Sequence, residues 1–274
     1  MTNEDTMKID VMTSFSKAYY DHVGKHSITS WLEYWPKDVQ MLAYVENCEL
    51  EHNDRITQID IADLDQEFYG FMRDPDVKSR IKTFAKKGYS WVHAVQNSTA
   101  DYLIWLDADV MTKQPVTKEF LEQQCDSNLL ATFMGVWYDG KRDDNGVDIK
   151  FEKPLFSSET CVYFFNLKHP EAQAFARRYK EYYTQKITHN LRRFIDTDVF
   201  GACVIEFQDR AKFKDINPDN RKTPLPKTHL HPYLQHLKAG IKDADNVDEI
   251  IRELIGNLVD RQPLAITETS TLRI

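Results

Sequence analysis

Asp107 and Asp109 follow Tyr102-Leu103-Ile104-Trp105-Leu106, the most hydrophobic strand-like run in the 274-residue chain. Side chains alternate along a strand, so acids separated by one residue, Ala108, point the same way where such a strand leaves its sheet. Two carboxylates on one side attract a cation. Hard oxygen ligands suit Mg²⁺ or Mn²⁺, ions that commonly keep open positions for phosphate oxygens, and a diphosphate leaving group supplies such oxygens. Ligands of open α/β sheets sit beyond the carboxyl ends of the strands, where this pair falls. The plainer alternative is a turn opened by Asp109, with Asp107 capping a nearby backbone group.

The elements that must position the pair are legible in outline. Ile9–Phe15 is a short apolar run ending in small polar residues, the form of a buried strand followed by a loop, and Met41–Val45 and Ile56–Ile59 repeat it. Between the first two lies a helix-compatible stretch from about Tyr19 to Trp35, stopped by Pro36. Strand, helix, strand implies a parallel crossover. From Asp76 to Gln96 the residues Val77, Ile81, Phe84, Ala85, Gly88, Trp91, Val92 and Val95 fall mostly three or four apart, giving one apolar helical face. Arg80, Lys82, Lys86 and Lys87 make another face basic. The second half predicts helices over Thr117–Cys125, Glu171–Tyr183 and Asp248–Leu258, with strands near Leu129–Val136 and Cys161–Leu167. Tyr138–Pro154, rich in charge and glycine, reads as a long loop or irregular hairpin. Neither a repeat nor a linker is visible, so a single domain is expected.

Composition narrows the function. With 35 lysines and arginines against 43 aspartates and glutamates, the net charge of −8 disfavours a broad grip on nucleic acid while leaving room for a local basic groove. The four cysteines, Cys48, Cys125, Cys161 and Cys203, have no short pairing, which points to neither a zinc or redox motif nor a disulfide framework, and a reducing compartment is the default. The polar start MTNEDTMKID and the lack of any run as long as a membrane span predict a cytoplasmic protein without stable membrane association.

The stretch DYLIWLDADV resembles the metal-binding strand of GT-A glycosyltransferases, in which an Asp-x-Asp motif anchors the metal of a sugar nucleotide. Three further stretches are similar, in order, to landmarks of the retaining enzymes related to glycogenin: Ser158–Leu167 to a small-residue strand, Asp196-Thr197-Asp198 to an Asp-Gln-Asp, and His236–Lys242 to H-x-x-G-x-x-K-P-W. Thr197 replaces the Gln, Gly240 is displaced by one position, and no Pro-Trp follows Lys242. The resemblance implies an α/β fold of GT-A (Rossmann-like) type, a mixed, mainly parallel sheet flanked by helices in one domain. Residues from about 1 to 112 would form its nucleotide-sugar-binding half and about 113 to 274 its acceptor-side half. It implies transfer of a sugar from a nucleoside-diphosphate sugar, a UDP-sugar foremost, with retention and with Mn²⁺ or Mg²⁺. The acceptor stays open among a glycan, a protein, a lipid head group and a modified DNA base.

Within that resemblance Asp107, Asp109 and His236 are the expected metal ligands, a neutral imidazole completing a site begun by two carboxylates. His229 and His231 are rival ligands. Lys238 and Lys242 could neutralise the departing diphosphate, and Lys87, one turn before Trp91 on the basic helix, is placed at the donor. Thr13 and Phe15, at the end of the first strand, could touch the nucleotide base. Asp198, Asp196 and Glu159 are candidates to contact sugar hydroxyls, act on the acceptor or stabilise an oxocarbenium-like centre. Helix capping is the ordinary alternative for Asp196 and Asp198.

Two other readings use the same residues. Leu106-Asp107-Ala108-Asp109-Val110 also matches the first motif of haloacid-dehalogenase-like phosphatases, whose first Asp is a nucleophile, although the later acidic pair here, Asp143-Asp144, falls in a polar loop. A catalytically inactive nucleotide-sugar or carbohydrate-binding domain would keep the fold and the aromatic residues while losing the metal or the acceptor acids.

Overall fold

Strand β5, Tyr102–Leu106, is apolar at nearly every position because both faces of its sheet are covered. Leu103 and Trp105 join one core cluster and Ile104 and Leu106 another, as alternation requires. The computed structural model describes residues 7–138, 141–142, 148–149, 155–187, 191, 195–216, 225–238, 241 and 244–269.

The central sheet has seven strands: β1 (Ile9–Ser16), β2 (Gln40–Glu46), β4 (Ile56–Asp60), β5, β7 (Leu130–Tyr138), β10 (Leu155–Asn166) and β11 (Phe213–Asp215). Their spatial order is β11-β7-β10-β5-β1-β2-β4. β5, β1, β2 and β4 run parallel, with Val11 beside Ile104 and Phe15 beside Val45. β10 is antiparallel to both β5 and β7, and β11 is parallel to β7. Two short ladders sit outside the sheet: β6 (Val110–Thr112) pairs with β12 (Leu234–His236), and β3 (Cys48–Leu50) with β13 (Ile266–Glu268). Between Tyr138 and Pro154 the described residues form one small antiparallel pair, β8 (Lys141–Arg142) with β9 (Asp148–Ile149). Asp143 and Asp144 lie outside the described residues.

The first crossover is one helical run with a wide turn inside it: α1 (Lys17–Tyr19), a π-helical turn Tyr20–Gly24, and α2 (Lys25–Tyr34). It ends where Trp35 turns extended, as the residue before a proline must. Helix α3 (Gln66–Arg73), unmarked by the apolar pattern, is capped by Asp65, whose side chain accepts from the Phe68 amide at 2.9 Å. The long helix α4 (Ser79–Asn97) starts three residues after the expected Asp76 and buries Ile81, Ala85, Gly88, Trp91, Val92 and Val95. Further on lie α5 (Lys118–Gln124), α6 (Ala172–Thr184), α7 (Asp196–Phe207) and a helix over Val247–Ile255 that runs into a 3-10 turn, Gly256–Asp260.

Gly88 sets the approach of α4 to α6. A Cβ there would stand 2.8 Å from Tyr179 Cε1 and 2.9 Å from Tyr183 Cε2, closer than real Cβ contacts come. Trp91 packs edge to face against Tyr179, Tyr163 and Phe200, and Tyr163 lies tilted against Phe200, tying α4, α6 and α7 to one side of the sheet.

Strand β10 begins at Leu155, well before the expected Cys161, because its N-terminal part pairs with the end of β7. Its register against β7 shifts on either side of Glu159. Such bulges re-aim side chains beside functional sites. Here Glu159, Thr160 and Cys161 line a cleft at the carboxyl end of β5. No helix among the described residues is long and apolar enough to cross a membrane.

Candidate functional site

Two strand ends and one return strand build the site. The amide of Asp107 donates to the Cys161 carbonyl at 2.8 Å, fixing β5 against β10, and the Asp107 carbonyl accepts from the Val110 amide at 2.9 Å, closing a tight turn. That turn leads into β6. The β6–β12 ladder sets His236 opposite Val110, and the Leu237 amide donates to the Asp109 carbonyl at 2.9 Å. His236 is thereby delivered beside the carboxylate pair by backbone pairing, independently of side-chain attraction.

Candidate ligand atoms of Asp107, Asp109 and His236 all lie within 4.8 Å of one another. His236 Nε2 is 3.3 Å from Asp109 Oδ1, while Tyr19 Oη donates to Asp109 Oδ2 at 2.6 Å. The π-helical turn follows Tyr19 directly, a feature frequent at functional sites. Trp105 Nε1 donates to Asp107 Oδ1 at 2.7 Å. The donor set is two carboxylates and an imidazole, which suits a hard divalent ion.

Lys87 holds the other side of the pair. Its Nζ lies 2.7 Å from Asp107 Oδ1 and 2.7 Å from Asp196 Oδ2, and donates to the Thr160 carbonyl at 3.0 Å. The ammonium also sits 4.6 Å from the centre of the Trp105 ring. Thr160 Oγ1 donates to Asp196 Oδ2 at 2.6 Å. Glu159 accepts from Lys238 Nζ at 3.0 Å and lies 3.5 Å from His236 Nδ1, a nitrogen with no hydrogen-bond partner among the described residues.

Burial pushes the Asp107 carboxyl above its usual range; Lys87 opposes this and neighbouring Asp109 adds to it. Burial would raise Asp196 too, but the charge and hydrogen bond of Lys87 prevail and hold it below its usual value. Glu159 is lowered in the same way, burial being outweighed by His236 and Lys238. For His236 burial disfavours the charged ring, yet contacts with Asp109, Cys161 and Glu159 raise it to about 12. Metal binding at this histidine therefore displaces a proton.

These groups line a cleft of about 460 Å³. Its wall beyond β5 is built from Phe15, Glu46, Ile61, Phe84 and Lys86, with Lys86 and Glu46 paired in a salt bridge. Of the residues singled out from sequence, Asp107, Asp109, His236, Lys87, Asp196, Glu159 and Phe15 line the cleft. Lys238 reaches it through Glu159. Thr13 is buried three residues before the end of β1 and does not line the cleft. Asp198 is fully buried beneath the first turn of α7 and is also absent from the lining. The cap of that helix is Ile195, so Asp196 and Asp198 occupy its first turn instead of capping it. His229 Nε2 lies 2.7 Å from Gln124 Oε1, and neither His229 nor His231 lines the cleft. Lys242 lies outside the described residues.

Tyr19, Trp105 and Thr160 are the members that the sequence did not mark. Trp105 had a signal, since it stands two residues before Asp107 on a strand and so shares its face. Tyr19 and Thr160 had none, because both act across long sequence separations.

No known family profile matches the sequence, and no curated protein matches it. Solved structures do match. The glycosyltransferase GlyE from Streptococcus pneumoniae TIGR4 superimposes with a TM-score of 0.52 at 13% identity, over 90% of this chain and 60% of that one. The bifunctional glycosyltransferase WbbM superimposes with a TM-score of 0.50 at 12% identity, over 93% of this chain and 46% of that one. The chain thus spans roughly half the length of these two proteins. With its mixed, mostly parallel seven-stranded sheet flanked by helices, the chain has a GT-A-like glycosyltransferase fold.

Proposed function

We propose that the protein is a metal-dependent glycosyltransferase that moves a sugar from a nucleoside-diphosphate sugar to an acceptor hydroxyl, with retention of the anomeric configuration. The observation that carries this reading is the meeting of Asp107, Asp109 and His236 at the carboxyl end of β5, in a cleft of a GT-A-like fold. Those three residues would hold Mn²⁺ or Mg²⁺, which when bound neutralises charge on the departing diphosphate.

The chain's own groups do the rest. Tyr19 and Trp105 fix the two carboxylates by hydrogen bonds, so that their orientation is set before any ligand arrives. Lys87 keeps Asp196 ionised in the cleft, where the carboxylate can accept from sugar hydroxyls and stabilise positive charge developing at the anomeric carbon. Glu159, oriented by Lys238, offers a second acceptor. Lys238 and Lys242 supply positive charge for the diphosphate. Phe15, Ile61 and Phe84 give the apolar wall a nucleoside base needs, on the β1–β4 side of the carboxylate pair. Thr13 acts from beneath that wall and Asp198 from beneath the α7 turn, as supports. For retention, the acceptor hydroxyl approaches on the face from which the diphosphate leaves, and its proton passes to a diphosphate oxygen. No side-chain base is then required.

A UDP-sugar is the donor we infer, from the resemblance of the Asp-x-Asp strand and the later landmarks. The about 1–112 half would bind it and the about 113–274 half the acceptor, in the cytoplasm. A thermal-shift panel of nucleotide sugars with Mn²⁺ tests the donor class, since a ligand at 100 times its dissociation constant adds about 2.7 kcal/mol. The anomeric configuration of the product linkage, read by NMR against that of the donor, tests retention, and an inverted product would overturn it.

A further inference from the structure

His236 belongs to two ligand sets. Besides the Asp107–Asp109 set, candidate ligand atoms of Glu159, Cys161 and His236 lie within 4.8 Å of one another. Glu159 and Cys161 stand two apart on β10, where its register against β7 shifts, and both line the cleft. The two sets use different sides of the imidazole: Nε2 faces Asp109 at 3.3 Å, while Nδ1 is buried without a hydrogen-bond partner, 3.5 Å from Glu159. The ring thus stands between two acids, with the Cys161 thiol beside it, and each of its nitrogens faces one ligand set. A thiol, an imidazole and a carboxylate are the ligand types of zinc, with an open cleft side left for water or another ligand.

We propose that Glu159, Cys161 and His236 form a second, softer metal site that takes thiophilic divalent ions such as Zn²⁺, and that its occupation excludes Mn²⁺ or Mg²⁺ from the Asp107–Asp109 set. Sulfur selects zinc over the hard ions, and zinc outranks manganese for nitrogen ligands as well. Binding forms bonds from the metal to Cys161 Sγ and His236 Nδ1 and breaks the S–H and Nδ1–H bonds, both protons passing to water. Exclusion follows from the ring. A neutral imidazole has one lone pair to give, so His236 cannot serve both ions unless it loses a further proton. Lys238 holds the other carboxylate oxygen, Oε2, at 3.0 Å, which leaves Oε1, the oxygen facing the ring, for the metal. Zn²⁺ would therefore inhibit a Mn²⁺-dependent reaction, and excess Mn²⁺ would relieve the inhibition. That consequence rests on the function proposed above, but the site itself does not.

Co²⁺ is the probe, since a cysteine thiolate bound to it gives a near-ultraviolet charge-transfer band that oxygen and nitrogen ligands do not. Wild-type protein titrated with Co²⁺ should develop this band, and Zn²⁺ should abolish it. Cys161→Ser and Cys161→Ala should both lack the band, while Asp109→Asn should keep it. Binding of Mn²⁺ at the carboxylates, followed separately by electron paramagnetic resonance, should fall as Zn²⁺ is added to wild type. In Cys161→Ser the Zn²⁺ concentration needed for that effect should rise at least about tenfold. Absence of the band in wild type, or its survival in both Cys161 variants, would overturn the proposal. Failure of Mn²⁺ to bind even without Zn²⁺ would instead count against the carboxylate site, leaving the Co²⁺ result to judge this one.

Discussion

Lys87 and Asp196 meet at 2.7 Å beneath the cleft, joining the middle of α4 to the first turn of α7. The same ammonium contacts Asp107 at 2.7 Å, so one buried cation balances two buried acids. Removing one member of a buried pair leaves the other charge uncompensated, which typically costs about 3–5 kcal/mol. Lys87→Met should therefore lower the melting temperature sharply and abolish transfer. An unchanged melting temperature would show that the three groups do not depend on one another.

Tyr19→Phe removes only the hydroxyl that donates to Asp109 at 2.6 Å. Losing a partner that orients a metal ligand commonly costs roughly 10–100-fold in metal affinity. Titration with Mn²⁺ should show a loss of that size, with the melting temperature of the metal-free protein little altered. Equal affinity in both proteins would mean that Tyr19 does not orient the site.

Gly88→Ala sets two effects against each other. Alanine is favoured over glycine in a helix by about 1 kcal/mol. Its Cβ, however, would press on the buried rings of Tyr179 and Tyr183, and overpacking of that kind costs about 1–3 kcal/mol. Rings tied into an aromatic cluster give way poorly, so the clash should win. Denaturant unfolding should show a net loss of about 1 kcal/mol, whereas a gain in stability would show that α6 shifts freely.

His26 is buried with Nε2 unpartnered among the described residues, and burial first, then nearby Lys25, lower it from 6.5 to about 4. Between those values the unfolded chain takes up a proton that the folded chain refuses, so stability falls as pH is lowered through the window. The contribution is complete above pH 6.5 and lost below about pH 4. Melting temperatures measured across this range should decline less steeply for His26→Gln than for wild type; parallel curves would exclude His26 as a cause.

What could be read from sequence divides along a physical line. β5 and its acid pair are legible because a strand buried on both faces must be apolar throughout, and its end is marked by the first charges. Lys87 is legible as the cation one turn before buried Trp91. β6 and β12 are three residues each, too short for any periodicity, so the ladder that brings His236 to Asp109 leaves no local trace. His236 is legible instead only through the ordered motif. The start of β10, Leu155-Phe156-Ser157-Ser158-Glu159, mixes apolar and polar residues without strand alternation, and its pairing with β7, not its own pattern, defines it. Asp198 shows the converse: acids two apart look alike in sequence, whereas a helical turn puts Asp196 in the cleft lining and Asp198 outside it.

The most direct measurement is release of nucleoside diphosphate from a panel of nucleotide sugars, with Mn²⁺ present and after its removal by EDTA, for wild type, Asp107→Ala and Asp109→Ala. Wild type with Mn²⁺ should turn over at least one donor, EDTA should stop it, and both variants should be inactive while retaining the wild-type circular dichroism spectrum. Turnover that persists undiminished in EDTA, or in a folded Asp109→Ala protein, would contradict a metal held by Asp107, Asp109 and His236.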